Sequence, residues 1–146
     1  MNNWIEVSQT EVNKPFEKKV KGIDVQMMIS PFDVPTASRF GTDQQNNQFV
    51  VEFKYLASDE PRDLSKYQDG VCFEVGKKTG KIFKVIIDHK HFKSRGYDGL
   101  DISIGLEEAK SEVEHHESHF ARNGNIEAIK NFLSGQVHGV SQPLFA

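Results

Sequence analysis

Residues 70–88 read GVCFEVGKKTGKIFKVIID. Two short apolar-rich runs flank a five-residue Gly-Lys-Lys-Thr-Gly connection, the pattern of a β-hairpin. In the second run Phe83, Val85 and Ile87 take one face, while Ile82 and Ile86 make the other face apolar around Lys84. A strand that wants cover on both sides belongs in the middle of its sheet, with helices or a partner subunit on the second face.

Working outward, Phe49, Val51, Phe53 and Tyr55 alternate with Val50, Glu52 and Lys54, which predicts a strand with one aromatic buried face. Ile23, Val25, Met27 and Ile29 alternate in the same way and predict a half-buried strand ended by Pro31. The stretch between them would make an unusually long loop, so a short strand is expected around Thr36 to Gly41, anchored by Phe40 and turning through Thr42 to Asn47. Residues 1–21 read as an irregular arm with a possible short strand, whose Trp4, Ile5 and Val7 could dock on the core. Ala57 to Asp69 reads as a polar connection.

After Asp98-Gly99 the period changes. Leu106, Ala109, Val113, His116 and Phe120 recur at spacings of three and four, the stripe of an amphipathic helix ending near Asn123-Gly124. Asn125 offers an N-cap for a second helix with Ile126, Ile129, Phe132 and Leu133 on its apolar face and Gly135 as terminator. The fold expected is α+β in a single domain over residues 1–146. It has an antiparallel β-meander of four to five strands within 22–88 and an αα-hairpin over 98–135 packed on one face, followed by a tail, 136–146.

At 146 residues the chain is long enough for one core without disulfides, and the single Cys72 reads as a small buried hydrophobe. A soluble, cytoplasmic protein is expected, since no apolar run reaches signal-peptide or membrane-span length. The net charge of -3 exerts no global pull toward nucleic acid or anionic lipid.

Two local resemblances are present. Asp69-Gly70-Val71 together with Gly80-Lys81-Ile82-Phe83-Lys84-Val85-Ile86-Ile87-Asp88 resembles the end of small prokaryotic β-meander domains of unknown function, over about residues 48–88, and implies a meander without an activity. Residues 121–135, ARNGNIEAIKNFLSG, resemble the middle of an ankyrin repeat. No Thr-Pro-Leu-His element precedes them, and a lone repeat cannot bury its own apolar face.

Charge is segregated. From Lys77 to Arg95 seven basic residues stand against Asp88 alone, and from Asp98 to Glu117 seven acids stand against Lys110 alone. Lys77, Lys78 and Lys81 at the hairpin end are candidate phosphate or partner contacts, unless the acidic helix neutralises the basic run within the fold. On a helical wheel Glu108, Glu112, His115 and His119 fall within about 60° of one another, on the side turned from most of the apolar stripe. Glu112, His115 and His119 are the candidate ligands for a divalent metal, although neither His-Glu-x-x-His nor a second Glu-x-x-His is present. A solvated acidic face with bystander histidines is the plainer reading.

No nucleophile elbow, phosphate loop or dinucleotide-binding turn occurs. The functional expectation is therefore a non-enzymatic protein-interaction or regulatory module without cofactor, contacting a protein partner or itself as a homo-oligomer. The alternatives are a metal-binding protein or metal-dependent enzyme, and nucleic-acid binding through the basic hairpin. No membrane partner is expected.

Overall fold

The computed structural model describes residues 4–56, 59–97, 101–115 and 123–141. The chain is α+β, as the periodicities predict. Its elements in order are β1 (Ile5–Glu6), α1 (Gln9–Val12), β2 (Phe16–Val20), β3 (Ile23–Met27), a 3-10 turn at Pro31–Asp33, β4 (Ala37–Asp43), β5 (Gln48–Lys54), β6 (Arg62–Gln68), β7 (Val71–Gly76), β8 (Ile82–Asp88), α2 (His89–Ser94), α3 (Ile102–His115) and α4 (Asn123–Ser141). No helix among the described residues is long and apolar enough to cross a membrane.

Six strands form one antiparallel sheet in the order β1-β4-β5-β8-β7-β6, and β2 and β3 form a separate two-stranded ribbon. Strands β6, β7 and β8 are a meander. β5 then lies beside β8, so the connection from β5 to β6 passes two strands, and β5 to β8 make a Greek key. The doubly apolar β8 is central, as its sequence demands, and pairs β5 on one side and β7 on the other.

Register aligns the buried face in rows. Phe40 is opposite Val51, Val51 opposite Val85, and Val85 opposite Phe73; Phe49, Ile87 and Val71 make the next row. Phe49, Val51, Val71, Phe73, Val85 and Ile87 are all 0% exposed, each such burial contributing roughly 1.5–3 kcal/mol before entropy is charged against it. On the opposite face an alternating-charge ladder crosses five strands: Arg39 to Glu52 at 3.2 Å, Glu52 to Lys84 at 3.9 Å, Lys84 to Glu74 at 4.0 Å, and Glu74 to Arg62 at 3.1 Å. Cross-strand neighbours of opposite sign suit a sheet face not covered by helices.

Helices α3 and α4 pack on each other and lie over the aromatic face. Phe132 of α4 meets Phe53 edge-on with ring centroids 6.0 Å apart. Gly105 of α3 lies so close to the sheet that a Cβ there would stand 2.5 Å from the Phe49 ring.

Several expectations change. The N-terminal arm holds β1, α1 and β2, and Val7 and Val12 are buried by it. Among the described residues β3 pairs with β2 alone, and Ile23 is 66% exposed rather than half-buried. The polar stretch before Asp69 contains β6, an edge strand with Leu64 exposed. Cys72 is half-buried rather than buried. Helix α4 begins at Asn123, two residues before the expected cap, and runs past Gly135 to Ser141. His116 and Phe120 lie outside the described residues.

Candidate metal centre

The site is built by the element the periodicity did not reveal. Helix α2 is six residues long and contributes little helical stability of its own. It is fixed by its ends and its core residue. The Asp88 carboxylate accepts from the Lys90 amide at 3.0 Å as N-cap. At the other end Gly96, with φ 91°, closes a Schellman motif, in which its own amide donates to the Lys93 carbonyl at 3.0 Å and the Tyr97 amide to the Phe92 carbonyl at 3.1 Å. The accompanying apolar contact is Phe92 against Tyr97, ring centroids 6.4 Å apart. Phe92 is fully buried edge-on to Phe49.

That anchoring aims His91 and Arg95, four residues apart, at α3. Helix α3 starts at Asp101, whose carboxylate accepts from the Ile104 amide at 2.8 Å, and buries Leu106, Ala109 and Val113 on the sheet. Glu108 and Glu112, also four apart, stand beside that apolar stripe and face α2. Each is only 3% exposed, where the wheel places them on a wet side; the short α2 supplies the cover.

His91 Nε2 lies 3.3 Å from Glu112 Oε1 and 3.5 Å from Glu108 Oε2, and Arg95 Nε lies 3.4 Å from Glu108 Oε1. One donor atom from each of His91, Glu108 and Glu112 falls within 4.8 Å of the other two. Despite these distances, neither His91 Nε2 nor Glu108 Oε2 has a hydrogen-bond partner among the described residues, and both are buried. The imidazole thus stands close to both carboxylates without being aligned to donate to either. Donors that share a tetrahedral ion at about 2.1 Å lie about 3.4 Å apart, so the spacing suits ligation as well as it suits an ion pair.

The cluster borders a cleft of about 430 Å³ lined by Asp69, Gly70, Asp88, Lys90, His91 and Ser94. Gly70 is required there twice over. Its φ is 82°, and a Cβ would come within 3.0 Å of the His91 Cβ.

Of the metal ligands expected from the sequence, only Glu112 joins this group. His115 sits exposed at the end of α3 and is not among the converging donors, and His119 lies outside the described residues. His91 and Glu108 complete the set. A His-x-x-x-Arg run opposite a Glu-x-x-x-Glu run was visible in the sequence, but without α2 nothing brought them together.

The three hairpin lysines do not form one surface. Lys77 and Lys78 are exposed on the turn, with Lys77 Nζ 3.5 Å from Asp63 Oδ1. Lys81 is 3% exposed, donates from Nζ to the Phe32 carbonyl at 3.2 Å, and lies 4.8 Å from the Tyr55 ring centroid. The turn instead wraps the Glu60 carboxylate, which accepts from the Lys78 and Thr79 amides at 3.0 Å and from Thr79 Oγ1 at 2.7 Å. Burial raises the pKa of Glu60, but the Thr79 and Lys78 hydrogen bonds and the Lys81 charge outweigh it and hold the carboxyl below its usual range. No known family model matches the chain, and no curated protein or solved structure does so either.

Proposed function

We propose that the protein binds a divalent transition metal through His91 Nε2, Glu108 and Glu112. The observation that carries this reading is the convergence of three buried donors, two of whose atoms, His91 Nε2 and Glu108 Oε2, make no hydrogen bond among the described residues. Two carboxylates brought together out of water favour a cation held between them, and one imidazole nitrogen with two carboxylate oxygens suits Zn²⁺, Mn²⁺ or Fe²⁺ better than Ca²⁺ or a thiophilic ion. Three protein donors leave a coordination position for water or for a small ligand from the adjoining cleft, as in catalytic rather than closed structural sites.

Metal analysis and calorimetric titration of untagged protein with Zn²⁺ and Mn²⁺ test this. One equivalent is expected in the wild type and in His115→Ala, and none in Glu108→Gln/Glu112→Gln. Saturation at a hundredfold excess over Kd should raise Tm by roughly 5–10 °C. Binding that survives the double glutamine variant, or that depends on His115, rules the site out.

A second reading, self-association or a protein partner, is favoured by the β2–β3 ribbon and the turn after it, where Ile23 is 66%, Met28 73% and Phe32 55% exposed. Light scattering on the wild type and on Ile23→Ser/Met28→Ser tests it. A concentration-dependent dimer lost in the variant is the expected result, and a monomer at every concentration discards self-association.

A further inference from the structure

The His91/Arg95 pair of α2 faces the Glu108/Glu112 pair of α3, and Arg95 has a different standing from the other three. Its side chain is 52% exposed, while that of Glu108 is 4% exposed. Its printed approach to Glu108 is Nε at 3.4 Å from Oε1, whereas His91 lies nearest Oε2. No hydrogen bond joins the two side chains among the described residues, so this rim contact lacks the bidentate fork that guanidinium groups make when they are built in permanently.

We infer that Arg95 is the resident counter-cation of the site: it neutralises Glu108 while no metal is bound and is displaced from Glu108 when a divalent ion enters. The inference rests on the metal-binding reading above. Among the described residues Glu108 and Glu112 are the acids of the cluster, so a dication offsets both, and the guanidinium becomes a surplus positive charge held a few ångströms from the ion. Arg95 can swing into water, because half its side chain is already there and its backbone stays pinned as the C-cap of α2, its amide donating to the His91 carbonyl at 3.2 Å. Arg95 therefore competes with the metal, lowers its affinity, and disfavours monovalent ions too weakly held to expel it.

The test is a titration of Zn²⁺ and Mn²⁺ into the wild type, Arg95→Gln and Arg95→Lys at low ionic strength, with the Arg95 ¹⁵Nε resonance followed on saturation with diamagnetic Zn²⁺. Arg95→Gln should bind about tenfold tighter, the scale of removing one partly screened charge about 5 Å from a dication. Arg95→Lys, which keeps the charge, should stay near the wild type, and the wild-type ¹⁵Nε signal should shift on loading. Metal binding that emerges only in Arg95→Gln carries the same conclusion. Wild-type binding with Arg95→Gln equal or weaker, or an unmoved ¹⁵Nε signal, overturns the counter-cation role and leaves the metal site standing. Absence of binding in the wild type and both variants overturns both.

Discussion

Asn125 connects three parts of the core through one side chain. Its Oδ1 accepts from the Ile82 amide at 2.9 Å, and its Nδ2 donates to the Asp33 carbonyl at 2.8 Å and to Tyr55 Oη at 2.9 Å. Tyr55 Oη in turn donates to the Ile82 carbonyl at 2.5 Å, and burial pushes its phenol well above the ordinary range, so it remains neutral as a donor. Asn125→Leu keeps the branched shape, with somewhat more bulk, but strips partners from buried groups on β8, the 3-10 turn and Tyr55. Unfolding in urea should show a loss of about 2–4 kcal/mol, against about 1 kcal/mol for a lost exposed cap. The sequence reading made Asn125 a cap because Asn is a good one. The residue lies inside α4 because the helix starts earlier, and its side chain is claimed by a network no local pattern announces. Glu60 gives a second residue-level prediction. Its folded pKa is depressed from the ordinary 4.5, so its contribution to stability is full above that value and is lost as the pH falls through the lower folded value. Glu60→Gln should flatten the acid limb of a plot of urea midpoint against pH below about 5, and an unchanged limb counts against the turn as its cause.

Between elements, the junction of α2 and α3 sets the balance between stability and chemistry. In metal-free protein, His91→Ala removes the imidazole packed against two buried carboxylates, and should cost about 3–5 kcal/mol. Replacing the group together, His91→Leu/Glu108→Met/Glu112→Leu, should be neutral or stabilising by up to about 4 kcal/mol by the same measurement, while metal binding disappears. A triple variant as unstable as His91→Ala would mean that the polar group is needed for the packing itself. How legible these elements were follows from what holds each one. The stripe of Leu106, Ala109 and Val113 announces α3 because it is buried on a sheet. Helix α2 has a single fully buried hydrophobe, Phe92, and is held by an N-cap and a Schellman motif, so it leaves no periodic trace. Without α2, the side of α3 bearing Glu108 and Glu112 could only be read as turned away from the core, and therefore wet.

Across the whole molecule, strands with a buried aromatic or aliphatic face were readable; of those without one, β3 was read from its alternation but β6 was not. β5 and the β7–β8 hairpin declared themselves, and two apolar faces placed β8 in the middle. β6 hid because an edge strand pairs through its backbone and keeps side chains such as Leu64 in solvent. The order of strands could not be read from alternation, which reports burial and not neighbours. Amide exchange should follow the same division, slowest in β5 and β8 and fastest in the β2–β3 ribbon, and equal protection in the ribbon would indicate a covering partner.

The crossover also governs what happens while the polypeptide is being synthesised. β5 is complete at Lys54, but the strand that pairs its free side, β8, ends at Asp88. Until that stretch has left the ribosome, an emerging chain carries Phe49, Val51 and Phe53 on an unclosed rim, the kind of surface that chaperones retain and neighbouring nascent chains can zip onto. Slow translation between those two strands lengthens that exposure, whereas rapid delivery of the hairpin ends it.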